Sequence, residues 1–137
     1  MSRTNYKELV IFSAFRNDKS LEINEKQHKA AMLGLEVDKI PFLEVEGFYK
    51  GDSEKSLMVL TSGEFAFKTC FELARIFNQE SVLTRDNENN ARLVYLNNSQ
   101  PPLRLGKLIQ VSEVEARSQD SFTYVPKTNE YYITKEF

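Results

Sequence analysis

The hydrophobic pattern of the chain starts with Leu9-Val-Ile-Phe12, a continuous apolar run ending at Ser13-Ala-Phe-Arg16, which predicts a buried strand entering a loop. Asn17-Asp-Lys-Ser20 is turn chemistry, and a helix is predicted from Asn24 to Leu35. Asn24 and Gln27 have capping-box spacing, while His28, Ala31, Met32 and Leu35 recur at i, i+3, i+4, i+7. Ile40 to Tyr49 alternates, Lys50-Gly-Asp-Ser53 turns, and Ser56-Leu-Met-Val-Leu60 returns as an apolar strand, so the pair reads as a hairpin. Ser62 is the expected N-cap of a second helix, Gly63 to Phe77. Its stripe of Phe67, Cys70, Phe71, Ala74 and Phe77 is the strongest amphipathic signal in the chain.

Further short strands are predicted at Ser81–Thr84 and Arg92–Leu96, joined by the polar turn Asp86–Asn90. Asn97–Pro102 reads as a loop, and strand-like pieces follow at Leu108–Val111, Phe122–Val125 and Tyr131–Thr134. The expected architecture is a single α+β domain, residues 1–137. It has a β-α-β-β-α-β (ferredoxin-like) core, with two helices on one face of an antiparallel sheet, and a β-rich C-terminal tail. The other sheet face must then be covered by the tail or by another subunit.

At 137 residues with 41% hydrophobic and 12% aromatic content, the chain can bury one core and excludes wholesale disorder. Eighteen basic and twenty acidic residues leave a net charge of −2, a poor basis for binding a phosphate backbone, and the candidate central strands are aliphatic rather than aromatic. No nucleic-acid partner is expected. The first eight residues are polar and the first apolar run has only four residues. A secretory signal needs roughly 7–15 apolar residues and a membrane span about 20, so a cytoplasmic protein without a membrane partner is expected. The lone cysteine, Cys70, fits a reducing compartment and reads as a small core thiol.

Catalytic patterns are mostly missing. There is no GxGxxG and no phosphate-cradling GxxxxGK[ST], and His28 is the only histidine. No Cys/His cluster suggests a metal, so neither metal nor cofactor is expected. Glu44 with Glu46 and Glu113 with Glu115 are spaced i, i+2, which on alternating strands places them in water. Chemistry here must rely on positioning and local charge.

Several short motifs nevertheless occur in order. Ser13-Ala-Phe-Arg16 follows the first strand, and Asn24 with His28 open the next helix. Gly47, Tyr49 and Lys50 precede Glu54-Lys-Ser56. Ala74-Arg75 precedes Val82-Leu83 and Leu93-Val-Tyr95, and Phe122-Thr123 lies in the tail. Together these motifs resemble the bacteriophage S-adenosylmethionine (SAM) lyases, historically called SAM hydrolases, over most of residues 9 to 125. The resemblance implies a phage enzyme that degrades SAM in the bacterial cytoplasm without metal or redox cofactor, as a homotrimer with sites between subunits. It also implies methylthioadenosine and homoserine lactone as products, or homoserine if water is the nucleophile. A shorter connection between Tyr49 and Glu54 and a patchily matching tail depart from the family pattern.

The resemblance places Glu54 at the family's important glutamate, where it is the expected catalytic residue. It would hold the substrate's cationic part or its ribose hydroxyls; the alternative is a solvated hairpin glutamate. Ser13, Phe15 and Arg16 end the first strand and are expected to bind substrate. Phe15 would stack on adenine and Arg16 would pair with a carboxylate from ligand or protein, the alternative being a core Phe beside a surface Arg. Tyr49 is expected to donate its hydroxyl to the ligand or an adjacent subunit, the alternative being core packing with a wet tip. The backbone around Ser81 and Val82 is expected to read the adenine edge. Asn24 is read as a helix cap and His28 as a buttress. Other classes stay open: a non-catalytic adaptor binding a host protein, or a SAM-binding module without turnover.

Overall fold

A computed structural model describes residues 8–60, 63–97 and 100–136. Ser62, the expected cap, and part of the 97–102 loop lie outside the described residues. Eight strands form one sheet: β1 (Leu9–Phe12), β2 (Phe42–Tyr49), β3 (Asp52–Leu60), β4 (Ser81–Arg85), β5 (Asn90–Tyr95), β6 (Leu103–Val111), β7 (Ser121–Val125) and β8 (Glu130–Lys135). Three helices accompany them: α1 (Leu21–Val37), α2 (Glu64–Ile76) and the short α3 (Glu113–Arg117). No described helix is long and apolar enough to cross a membrane.

The sheet is a closed barrel in the order β1-β3-β2-β7-β8-β6-β5-β4, and every neighbouring pair is antiparallel. This corrects the expected open, ferredoxin-like sheet with a spare tail. An open β2-β3-β1-β4-β5 sheet would expose unpaired backbone along β2 and β5. The tail removes both edges: β7 pairs with β2, β6 with β5, and β8 joins β6 to β7. The face that needed cover is the barrel interior.

Closure explains why β1 and the second half of β3 are continuously apolar. Both faces are covered, so alternation vanishes. Leu9 and Met58 join Leu43, Val45, Ala91, Leu108, Val125 and Tyr132 inside the barrel. The intervening Val10, Phe12, Leu57 and Val59 point outward into a second layer, against Ala31 and Leu35 of α1 and Cys70 and Ala74 of α2. Phe67, Phe71 and Phe77 flank that layer. Each fully buried Leu or Val contributes roughly 1.5–3 kcal/mol, so the two layers dominate stability. A third cluster seats Ala116 of α3 on Tyr131 and Ile133 outside the barrel. Glu113 and Glu115 therefore begin a helix rather than line a strand, with Ser112 as its cap.

Local details differ from the sequence reading for identifiable reasons. α1 starts three residues early because Ser20 is the N-cap, its hydroxyl accepting from the Ile23 amide at 3.2 Å. That frees Asn24 for another task, described below. The β2–β3 hairpin closes on Lys50 and Gly51, both at positive φ (50° and 89°), as a tight two-residue turn requires. Near β5, the register slips between Ala91 and Arg92. There Gly106 (φ 89°) is obligatory, since a Cβ would sit 2.5 Å from the Lys135 carbonyl oxygen.

Candidate active site

One mouth of the barrel is formed by the end of β1, the β2–β3 hairpin, the start of β7 and the end of β8. The loop leaving β1 there has no ladder partner, so its backbone groups must be satisfied otherwise. Ser13 Oγ donates to the Lys55 carbonyl and accepts from the Phe15 amide, both at 2.9 Å. Asn24, only 7% exposed, accepts from the Arg16 amide through Oδ1 and donates to the Arg16 carbonyl through Nδ2, both at 2.9 Å. Gln79 Nε2 donates to the Phe15 carbonyl at 2.9 Å. Asn24 on α1 and Gln79 in the connection between α2 and β4 thus lock the Ser13–Arg16 loop in place.

Behind Phe15 lies His28, 2% exposed, whose ring meets the Phe15 ring edge-on at 5.9 Å. His28 Nε2 donates to the Glu44 carboxylate at 3.0 Å, so Glu44 is not merely a solvated strand residue. Arg16 faces outward and forks onto Asp18, with Nε and Nη2 at 2.9 and 3.1 Å from its two carboxylate oxygens; Nη1 donates to the Asn78 carbonyl. The hydrogen bonds and charge of Asp18 raise the Arg16 pKa, and Arg16 in turn holds the Asp18 carboxyl below its usual range. Of the two sources of carboxylate expected for Arg16, the protein supplies one.

On the hairpin, Tyr49 is 61% exposed and carries Lys50 Nζ 5.3 Å from its ring centroid. The Lys50 amide donates to the Asp120 carbonyl at 2.7 Å, tying the turn to the segment before β7. Glu54 stands opposite Gly47 across the hairpin. Alternation from Met58 places Glu54 and Ser56 on the inner side of β3, and the missing side chain at Gly47 leaves the space beside Glu54 open.

These elements surround a cleft of about 890 Å³. Phe15, Arg16, Asn24, Gly47, Tyr49, Glu54, Ser56, Phe122 and Thr123 all line it, so motif residues scattered from 15 to 123 converge on one cavity. Ser13 does not line the cleft but anchors its loop. Ser81 is half-buried at the start of β4, outside the lining. Val82 is buried in the layer beneath the helices. The floor comes from Leu83, Leu105, Leu108 and the Tyr132 ring, and the rim adds Lys19, Asp52, Ser121 and Thr134. The strand residues among them have no sequence signal beyond inward alternation, which locates a cavity only once the barrel is known to close, and Lys19 in its turn has none. Arg85, 4% exposed and paired in register with Leu9, also went unrecognised; burial pushes its pKa down, opposed by the nearby Tyr132. Among the described residues no group of three or more His, Cys, Asp or Glu is placed to hold a metal ion.

A model of the S-adenosylmethionine lyase family matches residues 10–135. The chain belongs to the S-adenosylmethionine lyase family. The match runs from β1 through β8, so membership rests on the whole barrel rather than on one motif. No curated protein matches the chain at a significant level. As a SAM lyase family member the chain is an enzyme, and the barrel-mouth cleft is its candidate active site.

Proposed function

We propose that this SAM lyase cleaves its substrate to methylthioadenosine and homoserine lactone, using the substrate's own carboxylate as nucleophile. A carboxylate oxygen forms a bond to the γ-carbon while the γ-carbon–sulfur bond breaks, and the electron pair goes to sulfur. The sulfonium becomes a neutral thioether, the ammonium stays protonated, and total charge is conserved. No general base is needed, which suits a chain whose one histidine is sealed behind Phe15. The protein's task is to hold a folded conformer. Oriented intramolecular reactions gain about 7–11 kcal/mol over their bimolecular counterparts.

The observation that carries this reading is the convergence of the motif residues on one cleft in a chain of the SAM lyase family. Drug-sized ligands occupy cavities of about 300–1,000 Å³, and 890 Å³ falls in that range. Glu54 takes the catalytic role, placing its carboxylate near the sulfonium or the ammonium. Phe15 stacks on the adenine, supported by its pinned backbone and by His28. Arg16 shapes the rim through Asp18, Tyr49 offers its exposed hydroxyl, and Ser13 acts by fixing the loop. The backbone near Ser81 and Val82 reads the adenine edge where a ligand overhangs the cleft. The reading includes a homotrimer acting in the cytoplasm of a phage-infected bacterium, with a neighbouring subunit covering the rim. The exposed Leu21 and Tyr49 beside the cleft support such a cover.

The test is to incubate purified protein with SAM alone and follow methylthioadenosine by chromatography. Its appearance is expected. SAM retained but uncleaved would leave a binding module, and neither binding nor cleavage would leave an adaptor; either result overturns the proposal.

A further inference from the structure

Four charged side chains line the cleft: Arg16, Lys19, Asp52 and Glu54. Arg16 is already neutralised, its guanidinium forked onto Asp18 and tied to the Asn78 carbonyl. The other three make no side-chain hydrogen bond or ion pair among the described residues, although the Lys19 ammonium adds its field to that of Arg16 in lowering the Asp18 carboxyl. The cleft thus presents one uncommitted cation and two uncommitted carboxylates. All three are exposed and line the cleft.

That set of signs is the inverse of an α-amino-acid sulfonium, which carries two positive centres and one negative. We infer that Lys19 binds the substrate's carboxylate while Asp52 and Glu54 share its ammonium and sulfonium, an assignment that rests on the function proposed above. Lys19 lies in the turn between β1 and α1, whereas Asp52 and Glu54 lie on β3, so the partners approach the ligand from different elements. An ammonium is a compact point charge on a flexible stem. It can steer one carboxylate oxygen and leave the other to reach the γ-carbon. The cleft accordingly selects ligands by the spacing of three charges, and adenosine alone satisfies none of them.

Two unreactive probes separate the roles. Decarboxylated SAM keeps the sulfonium and amine and lacks the carboxylate; S-adenosylhomocysteine keeps the carboxylate and amine and lacks the sulfonium charge. Calorimetric binding of each is measured on wild type, Lys19→Met, Lys19→Arg and Asp52→Asn, together with SAM turnover. Lys19→Met is expected to weaken S-adenosylhomocysteine five- to tenfold and leave decarboxylated SAM within twofold, with Lys19→Arg recovering most of the loss. Asp52→Asn is expected to weaken decarboxylated SAM more than S-adenosylhomocysteine. Equal loss of both probes, or loss of neither, in a protein that consumes SAM overturns the inference and spares the proposed function. If wild type binds neither probe and leaves SAM intact, both fall.

Discussion

Along β3 two regimes lie a few residues apart. Leu57 and Val59 are fully buried beneath α1 and α2, and Met58 is fully buried inside the barrel. Glu54, three residues before Leu57, stands exposed at the mouth with an uncommitted carboxylate. The helix-covered wall is apolar and dense; the mouth sets exposed charges among aromatic and aliphatic side chains and is electrostatically unfinished. Stability and chemistry therefore occupy separate stretches of the same strands. Substitutions at the wall should unfold the protein without altering the site's selectivity, and substitutions at the mouth should do the reverse.

The sharpest break of that division is Leu57→Ala, which opens a cavity in the layer under both helices. Denaturant unfolding should show a loss of about 2–5 kcal/mol, with turnover per folded molecule retained. Asn24→Ala tests the joint between the regions, because Asn24 is buried yet serves the cleft loop. Leaving the Arg16 amide and carbonyl without partners should cost about 1–3 kcal/mol and also slow turnover, since Phe15 loses its fixed position. Glu54→Gln is the mouth counterpart. It should lower kcat/KM at least tenfold, about 1.4 kcal/mol, while unfolding stays within about 0.5 kcal/mol of wild type. Full activity in Glu54→Gln would remove that residue from the mechanism.

The smallest effect concerns Cys70 on the buried wall, whose thiol burial pushes up to about 12. In the native protein the thiolate is suppressed, so alkylation at pH 8 should be slow when folded and fast in denaturant. The sign of the linkage follows. The folded pKa lies above the unfolded one, so this contribution to stability is complete below about pH 9 and declines as pH rises towards about 12. Rapid labelling of the native protein would place Cys70 outside the sealed layer.

Much of the secondary structure is legible locally. The α2 stripe and the β2–β3 hairpin follow from spacing and turn residues alone. Barrel closure is not, because Glu46 pairs with Tyr124 and Asn90 with Lys107, and no local period encodes such pairings. The five-residue α3 is too short for helical periodicity, and its Glu113 and Glu115 mimic a strand. Asn24 has capping-box spacing, but Ser20 takes the cap and Asn24 turns inward. Phe15, Arg16, Tyr49 and Glu54 were visible through the order of short motifs. Lys19 and Asp52 carry no motif, although Asp52 stands two residues before Glu54 on the same strand; only the closed sheet brings the floor residues Leu108 and Tyr132 to the same cleft.

The account turns on which oxygen attacks the γ-carbon. Turnover of SAM in ¹⁸O-enriched water, with the amino-acid product analysed by mass spectrometry before and after mild hydrolysis, reads this directly. Self-attack by the carboxylate predicts unlabelled homoserine lactone as the first product, with label entering only the carboxyl group once the lactone opens. Label in the γ-hydroxyl of homoserine would mean that water is the nucleophile, and would contradict the mechanism.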